Sequence, residues 1–116
     1  MNIRQVSPQV YVSEQITQAD LRVLAEAGFK TVINNRPDGE AAGQPRSADL
    51  AAVATSLGME FIFFPVRLGA ITEEQVESFA DICQGIATPA LLFCRTGTRS
   101  TALWQFSQSR TPGNGD

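Results

Sequence analysis

The run Pro89-Ala90-Leu91-Leu92-Phe93 constrains this chain more than any other stretch. Its consecutive apolar residues offer no polar face to water, so a strand here needs cover on both sides, as in the interior of a parallel sheet. Three more segments read as strands: Val10-Tyr11-Val12-Ser13, Thr31-Val32-Ile33-Asn34, and Phe61-Ile62-Phe63-Phe64, which Pro65 halts. Helical patterns lie between them. Thr17 is placed to cap a helix carrying Leu21, Leu24 and Ala25 on one side, with Gly28 at its end. Ser47 is placed to cap a second, with Leu50, Val53, Ala54 and Leu57 inward and Gly58 closing it. Thr72 and Gln75 make a capping box for a third, and an amphipathic stretch from Ser100 to Ser109, bearing Leu103 and Phe106, forms the last. This alternation predicts an α/β fold: a small, mostly parallel sheet flanked by helices.

The interior strand stops at Cys94, and Arg99 follows across Arg95-Thr96-Gly97-Thr98. Small and polar residues around a glycine, between a strand and a helix start, describe a tight turn with a thiol at its mouth. Backbone N–H groups of such a turn face inward, and the helix adds the positive end of its dipole. Both favour an anion at the centre, and both favour thiolate over thiol. Arg99 adds a planar fork of donors for an oxyanion. Cys94 is therefore read as a nucleophile, with residues 95–99 as its anion cradle and Ser100 either capping the helix or donating to Cys94. Cys83, on the apolar face with Val76, Phe79 and Ile82, reads as a packing residue. Trp104 also reads as packing, with a place near the rim of the loop as the alternative.

In parallel sheets ligands sit outside the carboxyl ends of the strands. Arg36, Arg67, Arg95 and Arg99 each follow a strand, so the topology gathers four guanidinium groups at one edge of a chain whose net charge is −3. That pattern fits a small anionic substrate. No basic run suggests nucleic acid, and no stretch approaches a membrane span. The chain contains no histidine, which excludes Cys–His pairing and histidine-based metal sites, and two separated cysteines make no zinc site. No metal or cofactor is expected. Two cysteines without framework spacing and an N-terminus without a signal-peptide core point to a reducing, cytoplasmic setting. The expected organisation is one domain over residues 1–110, with a disordered tail at 111–116.

Three blocks carry a family resemblance: Asn35-Arg36-Pro37-Asp38-Gly39-Glu40 with Gln44-Pro45; Pro65-Val66; and Cys94-Arg95-Thr96-Gly97-Thr98-Arg99-Ser100 followed by Leu103-Trp104. The chain resembles the bacterial beta-lactamase-hydrolase-like, phosphatase-like domains over about residues 1 to 109. The resemblance implies a fold similar to dual-specificity phosphatases, here shortened at the C-terminus. It also implies a fused or associated partner of the persulfide dioxygenase type, and a shortened helical layer leaves room for a homo-oligomer.

Two reactions follow from that resemblance. Phosphatase loops carry histidine before the cysteine and five residues between cysteine and arginine, whereas here Phe93 precedes and four residues intervene. The shorter loop is similar to that of rhodaneses. The leading expectation is accordingly sulfur transfer through a Cys94 persulfide, which needs no general acid. The alternative is phosphoryl transfer through a phosphocysteine, with Arg99 clamping the oxygens. Residues 65–72 lack Asp and Glu, so Asp38 would serve as acid, with Glu40 as the other candidate, and each is equally a turn residue. A third expectation is a domain that binds anions without turnover. The substrate-binding set is Arg36, Arg95, Thr96, Gly97, Thr98 and Arg99; the catalytic set is Cys94, Arg99, Asp38 and Ser100.

Overall fold

The computed structural model describes residues 1–109, so the expected tail at 111–116 lies outside the described residues. Strands β1 (Ile3–Ser7), β2 (Val10–Ser13), β3 (Thr31–Asn34), β4 (Glu60–Phe63) and β5 (Ala90–Phe93) form one sheet in the order β1-β2-β5-β3-β4. Helices α1 (Gln18–Glu26), α2 (Ser47–Ser56), α3 (Glu73–Gly85) and α4 (Thr98–Gln108) connect them. The strands β2, β5, β3 and β4 run parallel, and β1 is antiparallel to β2. The expected α/β sheet is thus present, with one correction: there are five strands, and Val10–Ser13 is the second. The first, Ile3-Arg4-Gln5-Val6-Ser7, is an edge strand with an exposed, polar surface and carries no apolar run to announce it.

The side-chain alternation of β5 sends Leu91 and Phe93 to one face and Leu92 to the other, and neighbouring β3 matches it with Val32 and Ile33. On one side these residues meet Leu21 and Leu24 of α1 and Leu50 and Ala54 of α2. On the other they meet Val76 and Phe79 of α3 and Leu103 and Trp104 of α4. Full burial of one such side chain is worth roughly 1.5–3 kcal/mol. Both faces of β5 are therefore covered, as its sequence requires.

The helix starts differ in their chemistry. Thr17 and Thr72 each cap through a reciprocal box, with Asp20 and Gln75 as partners. Ser47 does not cap. Its hydroxyl accepts from Asn34 Nδ2 at 3.2 Å, and the Asp38 carboxylate takes its backbone N–H at 2.9 Å. Helix α4 begins at Thr98, turns Leu103 and Trp104 inward, and leaves Phe106 half exposed rather than buried. Trp104 is a packing residue.

Candidate active site

All four parallel strands end in register, at Ser13, Phe93, Asn34 and Phe63. Their continuing loops converge on this edge and are tied to one another by backbone bonds. Asn35 N–H donates to Phe93 O at 2.8 Å, Val66 N–H to Asn35 O at 2.9 Å, and Gln15 N–H to Arg95 O at 3.2 Å. The Cys94–Arg99 loop is thus held from both flanking strands before any side chain acts.

Cys94 is buried to 1 % exposure at the end of β5, and Gly97 N–H points at its sulfur from 3.1 Å. That inward amide depends on Gly97 itself, whose φ of 91° lies in the left-handed region. Helix α4 starts at the next residue and directs its N-terminal end at the same point. Of the inward-facing amides expected from the sequence, that of Gly97 is seen at the sulfur.

Arg99 lies buried beside it. Its Nη1 and Nη2 donate to the two oxygens of Glu40 at 2.7 and 2.8 Å, and Nη1 also reaches Val66 O at 3.1 Å. Glu40 is shared: Arg36 Nε donates to its Oε1 at 2.9 Å, while Arg36 Nη1 donates to Gln15 Oε1 at 3.0 Å. The Arg99 hydrogen bonds outweigh partial burial and hold the Glu40 carboxyl down to about 2, with Arg36 adding to the effect. Glu40 in turn pushes Arg99 up, and the neighbouring Cys94 sulfur acts in the same direction. The planar fork is fixed before any ligand arrives, so little rotamer entropy remains to be lost on binding.

Several expectations change here. Arg36 is buried behind Glu40 and braces it instead of lining the cleft. Arg67 is exposed and does not line the cleft either, so Arg95 and Arg99 remain as its cationic wall. Asp38 is spent on the start of α2. Ser100, fully buried, donates to Asn35 Oδ1 at 2.7 Å rather than to Cys94, and Asn35 Nδ2 donates to Phe64 O at 2.9 Å. A buried polar bridge from α4 to the residue after β4 results, locking the loop between its neighbours. Glu40, weighed in the sequence as an acid or a turn residue, instead anchors Arg99, and Gln15 and the Val66 carbonyl complete the brace.

Over this loop opens a cleft of about 530 Å³, lined by Glu40, Leu68, Arg95, Thr96, Thr98 and Arg99. An apolar hollow of about 260 Å³ adjoins it through Leu68, Thr98 and Arg99. Among the described residues no cluster of His, Cys, Asp or Glu forms a metal-binding set, and no helix is long and apolar enough to cross a membrane. A buried sulfur under an inward amide and a fixed guanidinium can attack the central atom of a small anion while the loop holds its oxygens.

The comparisons agree with this geometry. The family of the phosphatase-like domain of beta-lactamase hydrolase-like proteins matches residues 2–111. A beta-lactamase hydrolase-like protein of Agrobacterium fabrum is 31% identical over 109 residues, covering 94% of this chain and 25% of the relative. This chain therefore spans about a quarter of the length of the curated relatives it matches. Among solved structures, a candidate phosphatase from Neisseria meningitidis is similar at 36% identity and a TM-score of 0.84, covering 90% of this chain and 75% of that one. TpbA of P. aeruginosa, in complex with pTyr, shares the fold at a TM-score of 0.63 and 18% identity, covering 83% of this chain and 54% of that one. The expected likeness to dual-specificity phosphatases is thereby met, and this chain belongs to the phosphatase-like domain family of beta-lactamase hydrolase-like proteins.

Proposed function

We propose that the domain is a cysteine-dependent phosphatase acting on small anionic phosphoesters. The phosphatase relatives support this reading over the sulfur transfer that the sequence placed first. The observation that carries it is the pairing of Cys94 Sγ, under the Gly97 N–H, with an Arg99 fork held by Glu40. In this reaction the Cys94 thiolate attacks phosphorus in line. The S–P bond forms as the P–O bond to the leaving group breaks, and the electron pair leaves on that oxygen. Water then hydrolyses the phosphocysteine, releasing phosphate and restoring the thiolate. Loop amides and Arg99 stabilise the charge spread over the equatorial oxygens.

The leaving group has to depart with little help from a proton. Glu40 is ionised at neutral pH, Asp38 is committed to α2, and residues 65–72 contribute no carboxyl. Aryl and other low-pKa leaving groups fit this site, and simple alkyl esters do not.

The absent acid and the length of the loop favour a second reading. Sulfur transfer requires no acid, and the loop of four intervening residues is one shorter than a phosphatase loop. A thiolate that takes a sulfane sulfur from thiosulfate expels sulfite and leaves a Cys94 persulfide, which an acceptor thiol or cyanide then removes.

Aryl phosphate hydrolysis and thiosulfate:cyanide sulfurtransfer are measured on the wild type and on Cys94→Ser, with mass spectrometry for a phosphorylated or persulfidated Cys94. Phosphate release lost in Cys94→Ser supports the first reading. Thiocyanate formation with one added sulfur on Cys94, and no phosphate release, replaces it with the second. Inactivity in both assays with retained phosphate binding leaves an anion-binding domain.

A further inference from the structure

The Cys94–Arg99 loop has a second flank, turned away from Glu40. There a depression of about 440 Å³ opens against edge strand β1, lined by Asn2, Arg4, Ser13, Glu14, Arg95 and Thr96. It shares Arg95 and Thr96 with the catalytic cleft, so these two residues form a ridge between two concave surfaces. Arg4 reaches the loop from two strands away. Its Nη2 donates to Thr101 Oγ1 at 3.2 Å, and Thr101 Oγ1 donates to Gly97 O at 2.8 Å. The same nitrogen lies 3.5 Å from the point where a side chain on Gly97 would start. One end of the Arg4 guanidinium is therefore fixed against the turn that presents the Gly97 amide to sulfur.

The charges on this flank do not cancel. Glu14 is its one carboxylate, and both of its oxygens accept from the Asn2 backbone N–H at 3.1 Å. Among the described residues neither Arg4 nor Arg95 is in an ion pair, whereas Arg36, Arg46 and Arg99 all are. Two guanidinium groups in one concavity, facing a single occupied carboxylate, leave a local excess of positive charge in a chain of net charge −3.

We infer that this flank is a second anion subsite, in which Arg4 and Arg95 hold a further phosphate or carboxylate of the same substrate whose reacting group sits over Cys94. The inference rests on the cleft being the anion site of the proposed function and deepens it: the preferred substrates carry two anionic groups. Arg4 is a specificity residue in this arrangement and takes no part in the chemical step. Linking the two anions makes the second contact intramolecular, which strengthens binding without a new site on the Cys94 side.

The test is calorimetric binding of inorganic phosphate and of tripolyphosphate to the Cys94→Ser chain, where no turnover intrudes. Tripolyphosphate is expected to bind about tenfold or more tighter than phosphate. Adding Arg4→Gln should remove most of that preference while shifting phosphate affinity less than about twofold, and adding Arg22→Gln on α1 should alter neither, which controls for net charge. A preference that survives both Arg4→Gln and Arg95→Gln overturns the subsite. An Arg4→Gln change that weakens both ligands equally also overturns it, since Arg4 would then merely prop the loop. Phosphate that fails to bind while tripolyphosphate keeps its Arg4 dependence refutes the catalytic-cleft reading and with it the two-group substrate, leaving Arg4 and Arg95 as a separate anion site. Absence of binding by either ligand refutes both.

Discussion

The two thiols of this domain occupy opposite kinds of site. Cys83 lies on α3, half-buried against the apolar cluster under Trp104, and burial among hydrocarbon pushes its thiol up to about 12. Cys94 is buried more deeply, yet it sits under the Gly97 amide at the start of α4 and beside Arg99. Burial among hydrocarbon alone favours an inert thiol, and the proposed nucleophile differs from Cys83 in what faces its sulfur: an amide and a guanidinium. The sharpest way to break this contrast is to exchange each sulfur for oxygen. Cys94→Ser should lower turnover by at least about 10³-fold, because serine at neutral pH has no base nearby to activate it. Cys83→Ser should leave kcat/KM within about twofold. Iodoacetamide at pH 8 on native protein should modify Cys94 and spare Cys83, read by peptide mass spectrometry. A Cys83 that reacts first would reverse the assignment.

The next largest effect belongs to Arg99→Lys. A single ammonium cannot span both Glu40 oxygens and the Val66 carbonyl, nor present two parallel donors to an oxyanion. A loss of about 10²-fold in kcat/KM is expected, from the general cost of removing one preorganised donor to the reacting anion. A loss under about threefold would mean that the loop amides suffice and the fork is structural.

Much of this contrast can be read along the chain, because it is local. The apolar run of β5, the glycine between Cys94 and Arg99 and the helix start lie within a dozen consecutive residues, so strand, turn and anion cradle follow from short-range rules. The capping box at Thr72 and Gln75 is legible for the same reason. What brings Glu40 onto Arg99 spans 59 positions and depends on two loops meeting above the sheet. No spacing rule connects those residues, and a carboxylate in a turn-rich segment looks like a turn residue or an acid. Strand β1 is hidden for a different reason: its partner is the backbone of β2, and its exposed residues carry no periodic signal. Asp38 and Ser47 exchange the expected capping role because the helix start is approached by a loop nine residues upstream.

A smaller effect distinguishes the polar floor of the Cys94 site from the apolar surroundings of Cys83. Ser100 and Asn35 are both fully buried, and Ser100→Ala strips the donor from Asn35 Oδ1. The unsatisfied oxygen should cost about 1–3 kcal/mol, measured by urea unfolding. A buried polar bridge that can be cut for less than about 0.5 kcal/mol would be water-tolerant and no part of the loop's rigidity.

The smallest stability effect carries a pH signature. Glu40 is partly exposed, so the Glu40–Arg99–Arg36 network is screened, and Glu40→Gln should cost only about 1–2 kcal/mol at pH 7. The native carboxyl is held down to about 2 against an ordinary value of 4.5. The unfolded chain therefore binds the proton more readily, and the ion pairs' contribution is fully present above about 4.5 and is lost as pH falls through about 2. The stability difference between wild type and Glu40→Gln should accordingly be flat from pH 7 to 5, shrink below 4.5 and close near 2. Cys83 supplies the opposite sign in the same molecule. Its raised value makes the native state hold the proton more tightly, so its contribution persists below the ordinary 9.0 and disappears as pH rises toward about 12. A Glu40→Gln difference that persists unchanged down to pH 2 would show the carboxylate acting through packing alone, and the fork on Arg99 would then owe its position to Val66 and the loop.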